Sequence, residues 1–106
     1  MSDVQTTQTL FLGTAIKITS ILSEPNPDSI LITIKDPGNT EKVSNASMTE
    51  SADKVHVYTW QSSTTNDIAG CYLVTIKVTK GAYTSVQQYV FELINQDSWS
   101  KHNGLF

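Results

Sequence analysis

A chain of 106 residues in which 39% of the side chains are hydrophobic is long enough for one domain with its own core and too short for two. The formal net charge is -3, and all seven cationic side chains are lysines; without arginine the chain lacks the planar fork that reads phosphates and guanine edges, which argues against a nucleic-acid partner. Cys71 is the only cysteine, so an intrachain disulfide is excluded and any folded form must be held by packing.

Met1 to Thr9 is rich in Ser, Thr and Gln and is expected to form a flexible segment over residues 1–9. It has no lysine-led apolar run, and no stretch of the chain approaches the ~20 apolar residues of a membrane helix. The expectation is therefore a protein without a signal peptide and without a membrane contact, located in the cytoplasm or in a particle assembled there. From Leu10 to Leu22, Ile16 and Ile18 alternate with Lys17 and Thr19, which predicts a first strand, split or redirected between sheets at Gly13. Ser23 to Ser29 contains two prolines and reads as a turn, followed by a strand over Ser29–Lys35 with Ile30, Ile32 and Ile34 on one face.

Asp36-Pro37-Gly38-Asn39 predicts a tight turn, with Pro37 fixing φ and Gly38 free to take positive φ. Residues 40 to 53 are polar, with one weak strand candidate around Val43–Thr49. Val55–Gln61 is a strong strand whose alternation puts His56, Tyr58 and Trp60 on one face and Val55, Val57 and Thr59 on the other, without deciding which faces the core.

After the polar loop Ser62–Asp67 comes the most regular pattern in the chain. Tyr72, Val74, Ile76 and Val78 share one face, and Cys71, Leu73, Thr75 and Lys77 share the other. Lys80 to Tyr83 predicts a hairpin turn, with a return strand over Thr84–Ile94 in which Tyr89, Phe91 and Leu93 alternate with polar neighbours and Val90. The boundaries that follow are 10–94 for the folded domain and 95–106 for a C-terminal tail. Several short strands spaced by turns, with no helical period, predict an all-β, antiparallel, immunoglobulin-like two-sheet sandwich of six to seven strands. Its expected core is Ile18, Ile30, Ile32, Ile34, Tyr58, Trp60, Tyr72, Val74, Ile76, Tyr89, Phe91 and Leu93.

Four pieces together carry a resemblance. The strand from Ile30 ends in Asp36-Pro37-Gly38, the His56–Gln61 strand ends its aromatic alternation at Trp60, Gly70-Cys71-Tyr72 opens the next strand, and the last closes on Phe91-Glu92-Leu93. In these the chain resembles small immunoglobulin-like or fibronectin-III-like domains of bacterial, archaeal and phage proteins, with His56 standing where such domains usually carry the first aromatic. The resemblance implies a tyrosine corner at Tyr72 and a non-catalytic structural or protein-interaction module, such as a minor component of a phage-like particle. The alternative it implies is a carbohydrate-binding domain.

The chemistry-bearing residues are few. Nucleophilic catalysis would need Cys71 or a serine beside an oriented histidine, and the chain has only His56 and His102, so no catalytic residues and no enzyme activity are expected. Cys71 reads as a small filler of the second sheet face, and His56 as a partly buried strand residue with a satisfied ring nitrogen. No Cys/His cluster has zinc spacing, and Glu24, Asp28, Asp36, Asp53 and Asp67 read as turn caps sooner than calcium ligands, so no cofactor or metal is expected. Asn45-Ala46-Ser47 matches the glycosylation pattern without an export signal to support it. Tyr83 and Trp99 are the candidate glycan-stacking aromatics. Cys71, Leu73, Val86 and Val90 form a candidate interaction face for a protein partner or a weak homo-oligomer.

Overall fold

The computed structural model describes residues 8–95, and the tail including Trp99 and His102 lies outside them. Eight strands build two sheets: β1 (Gln8–Phe11), β2 (Ala15–Ile21), β3 (Ser29–Lys35), β4 (Glu41–Ser47), β5 (Thr49–Ala52), β6 (Val55–Gln61), β7 (Gly70–Lys80) and β8 (Tyr83–Ile94). One sheet has the order β1-β8-β7-β3-β4 and the other β2-β6-β5. Every pairing is antiparallel except β1 with β8. The fold is thus an all-β immunoglobulin-like two-sheet sandwich.

The eight strands exceed the six to seven expected because two segments change sheet. Gly13, at φ 94, turns the chain between β1 in the larger sheet and β2 in the smaller, so the single expected strand becomes two. β1 opens at Gln8, inside the segment 1–9 expected to be flexible. The polar stretch after the Asp-Pro-Gly turn likewise divides into β4 and β5. Met48 sits at the crossing, buried, its N–H donating to the Ile30 carbonyl of β3 as the chain leaves β4.

The core is the meeting of two inward faces. From the larger sheet come Ile30, Ile32, Ile34, Tyr72, Val74, Ile76, Phe91 and Leu93; from the smaller come Ile16 and Ile18, with Tyr58 and Trp60 partly buried against them. This decides which face of β6 is internal: the one carrying His56, Tyr58 and Trp60. Ile32, Ile34 and Ile76 are wholly buried, each contributing about 1.5–3 kcal/mol of transfer free energy. Trp60 closes on Tyr72 with ring centroids 5.6 Å apart, and Tyr72 stacks on Phe91 at 5.2 Å. These three rings pack together between the sheets, at the tyrosine-corner end of a sandwich that has no disulfide.

Tyr72 ties this core to the loop before it. Its hydroxyl donates to the Ile68 carbonyl four residues upstream at 2.6 Å, which is the tyrosine corner expected from its position at the head of a strand. The loop is fixed a second time through Asp67, whose carboxylate accepts from the Ser63 N–H at 2.7 Å and pairs with Lys42 at 3.1 Å. Gly70 lies between, at φ 137, and a Cβ there would stand 2.6 Å from Cγ of Pro37. The Asp-Pro-Gly turn therefore packs its proline ring on the backbone of the tyrosine corner. In that turn the positive φ falls on Asn39 (φ 70) and not on Gly38, and Asp36 accepts from the Thr40 N–H.

These contacts set two expectations. Gly70→Ala should cost about 2 kcal/mol, because it combines a strained φ with overlap of a rigid ring, and Tyr72→Phe about 1 kcal/mol. Denaturant unfolding of both single variants and the double should show less than additive loss, since both act on one corner. Burial, and after it the charges of Asp67 and Asp36, raise the Tyr72 phenol above its ordinary 10.0. A raised folded-state value favours the native state below pH 10, and this contribution is lost as pH climbs from 10 toward the raised value. Alkaline unfolding curves should show that loss in the native chain and lack it in Tyr72→Phe.

Candidate functional site

The inward alternation of the smaller sheet runs from apolar to polar along β2, from Ile16 and Ile18 to Ser20. Ser20 is wholly buried and stands opposite His56 in the β2–β6 register. Its hydroxyl donates to Oε1 of Gln87 at 2.9 Å, and the Tyr89 hydroxyl donates to the same oxygen at 3.0 Å. Gln87 and Tyr89 lie on the inward face of β8, so the bonds join the two sheets through the interior.

His56 belongs to this polar end of the core yet differs from its neighbours. It is 5% exposed, and its Nδ1 is the one buried side-chain nitrogen or oxygen among the described residues without a hydrogen-bond partner. The expectation of a partly buried histidine with a satisfied ring nitrogen is thus corrected in its burial and for Nδ1: β2 and β5 flank β6, and the side chain lies on the core face, where no donor or acceptor meets that atom. Glu50 of β5 is its register partner on the other flank, and Met48 lies two residues before Glu50, buried in the same core.

Beyond Ser20 the sandwich opens into a cleft of about 420 Å³ between the β2–β3 loop and the β7–β8 hairpin. Leu22, Pro27 and Val78 give it apolar walls, Gln87 reaches it from the buried network, and Glu24 and Lys80 stand at its rim. Lys80 spans the mouth, donating to the Pro25 carbonyl at 2.6 Å. Tyr83 also lines the cleft, 81% exposed, whereas Trp99, the other candidate stacking aromatic, lies outside the described residues.

The candidate interaction face is assembled on the outside of the larger sheet. Leu73, Val86 and Val90 are all exposed there, with Cys71 in the same direction; Cys71 is a surface residue and fills no gap in a second layer. The turn acids act as caps: Asp28 accepts from the Gly81 N–H, Asp36 from Thr40 and Asp67 from Ser63. Among the described residues no group of three or more His, Cys, Asp or Glu is gathered as a metal site would require. Ser20, Gln87 and Met48 were not singled out by sequence reasoning. The signal for the first two was present, since extending the Ile16/Ile18 and Phe91/Tyr89 alternations by one step places a polar residue on the core face of each strand.

No family model matches the chain, and no curated protein matches it. Among solved structures it is similar to CopC from Methylosinus trichosporium OB3b, with a TM-score of 0.58 and 16% identity over 86% of this chain and 87% of that one. What the two chains share is the β-sandwich architecture. The likeness establishes the sandwich and does not extend to kinship with fibronectin-III-like or phage domains. The functional expectation is corrected as well: the solved structure that shares the fold supports neither the structural or interaction module of a phage-like particle nor the carbohydrate-binding domain. The motifs behind those two roles, a tyrosine corner and alternating aromatics, are requirements of sandwich packing and specify no ligand.

An unpaired polar atom inside a packed core costs about 1–3 kcal/mol. In metal-free solution His56→Leu should therefore leave the domain as stable as the native chain or about 1 kcal/mol more stable. Thermal unfolding in the presence of a chelator checks this.

Proposed function

We propose that this chain is a non-catalytic metal-binding sandwich that takes up Cu(I) at His56. The observation that carries the reading is the unpartnered Nδ1 of that histidine in the core. A locally unfavourable group in an otherwise consistent core is expected at functional sites, and an imidazole nitrogen with no hydrogen to accept is available as a metal ligand. The copper-binding character of CopC supports the same reading from the side of the fold.

The donors available restrict the ion. Zinc and calcium need three or more nitrogen, thiolate or oxygen ligands at one point, and the described residues gather no such group. Cu(I) accepts fewer ligands and favours soft sulfur and imidazole. Met48 would supply a thioether from the strand crossing beside β6, about 7–8 Å along the diagonal from His56 by strand geometry, close enough for two long side chains to converge on one ion. The imidazole of His56 and the thioether of Met48 would supply the affinity for this soft cation, and the core around them would keep water from competing for it.

Anaerobic titration of Cu(I) against a chromogenic chelator, read together with the thermal shift, tests the proposal. The native chain should bind one equivalent with a rise in melting temperature; His56→Leu should lose at least about tenfold in affinity and Met48→Leu a smaller factor. Binding that survives both substitutions, or that disappears only in Cys71→Ser or His102→Ala, would place the metal elsewhere and overturn the assignment.

A further inference from the structure

The outer face of the larger sheet carries a pattern that repeats about its own middle. Strand register arranges it in rows: Leu73 pairs with Val90 and Lys35, Thr75 with Gln88 and Thr33, and Lys77 with Val86 and Leu31. A polar central row thus separates two rows that each contain apolar side chains, and Leu73, Val90 and Val86 are 36%, 39% and 59% exposed. A solvated sheet face needs no such side chains, and their clustering marks a contact surface.

The symmetry of the pattern selects the occupant. A two-fold axis lying along the row Thr33–Thr75–Gln88 exchanges the two outer rows, so that Val90 of one molecule meets Val86 of the other twice over. The same operation lays the aliphatic stem of Lys77 across Leu73 of the second copy and directs its ammonium toward Glu92, which lies on β8 two residues beyond Val90 and points outward opposite Cys71. Each interface half therefore presents both members of a charge pair. From this register and charge complementarity we infer that the face binds a second copy of this chain, forming a weak, two-fold symmetric homodimer. The inference is independent of copper uptake, whose residues lie between the sheets.

Sedimentation velocity from about 10 μM to 1 mM protein reads it directly. The native chain should shift from monomer toward dimer over that range, more weakly at high salt. Leu73→Lys should remain monomeric. Lys77→Glu and Glu92→Lys should each weaken association by about tenfold, and the two together should restore it to within about threefold, a rescue that a merely destabilised fold could not produce. A native chain that stays monomeric at 1 mM would overturn the inference. So would a dimer indifferent to these substitutions, or a Leu73→Lys variant that loses thermal stability without change of mass, which would mean that the chain covers this face itself.

Discussion

The contact between Pro37 and Gly70 is the constraint on which the arrangement of this sandwich depends. It presses the turn after β3 onto the backbone that opens β7, and only a residue without Cβ can stand there, since Pro37 Cγ lies 2.6 Å from where a Cβ would be. Two residues on, the Tyr72 hydroxyl holds Ile68, and Asp67 holds Ser63 and Lys42. Lys42 belongs to β4, so one short loop joins the edge of the larger sheet to its centre. With no disulfide between the sheets, these polar ties and the Trp60–Tyr72–Phe91 rings define how β6 and β7 face each other.

The two ends of the domain are built on different principles. At the tyrosine corner every buried polar group finds a partner, and the rings fill the space. At the opposite end the core turns polar: Ser20, Gln87 and Tyr89 bond across the sheets, the cleft opens beside Leu22, and His56 keeps one nitrogen unpaired. Rigid packing at one end lets the other tolerate an unfavourable group. That division between a supporting half and a strained half is common where a binding site is set into a stable scaffold.

The outer face of the larger sheet adds a surface property that the interior does not require. Burial of Tyr72, Val74 and Ile76 obliges Leu73 to face outward, because side chains alternate strictly along β7. Its pairing with Val90 then follows from the tight turn at Gly81-Ala82, which sets the register of the whole hairpin.

Alternation made most of this legible in the residues themselves. The Ser29–Lys35 and Val55–Gln61 strands stand where the pattern puts them, and Tyr72 makes its corner, because period-2 burial and turn chemistry are local properties. Local pattern could not say that residues 41–52 form two strands in different sheets, since their side chains are polar and their pairing comes from β3 and β6. Nor could it choose the inner face of β6, where both faces carry large side chains. The environment of His56 was decided only by tertiary structure: whether a ring nitrogen finds a partner depends on atoms of other strands, and no spacing along one strand records which of them arrive.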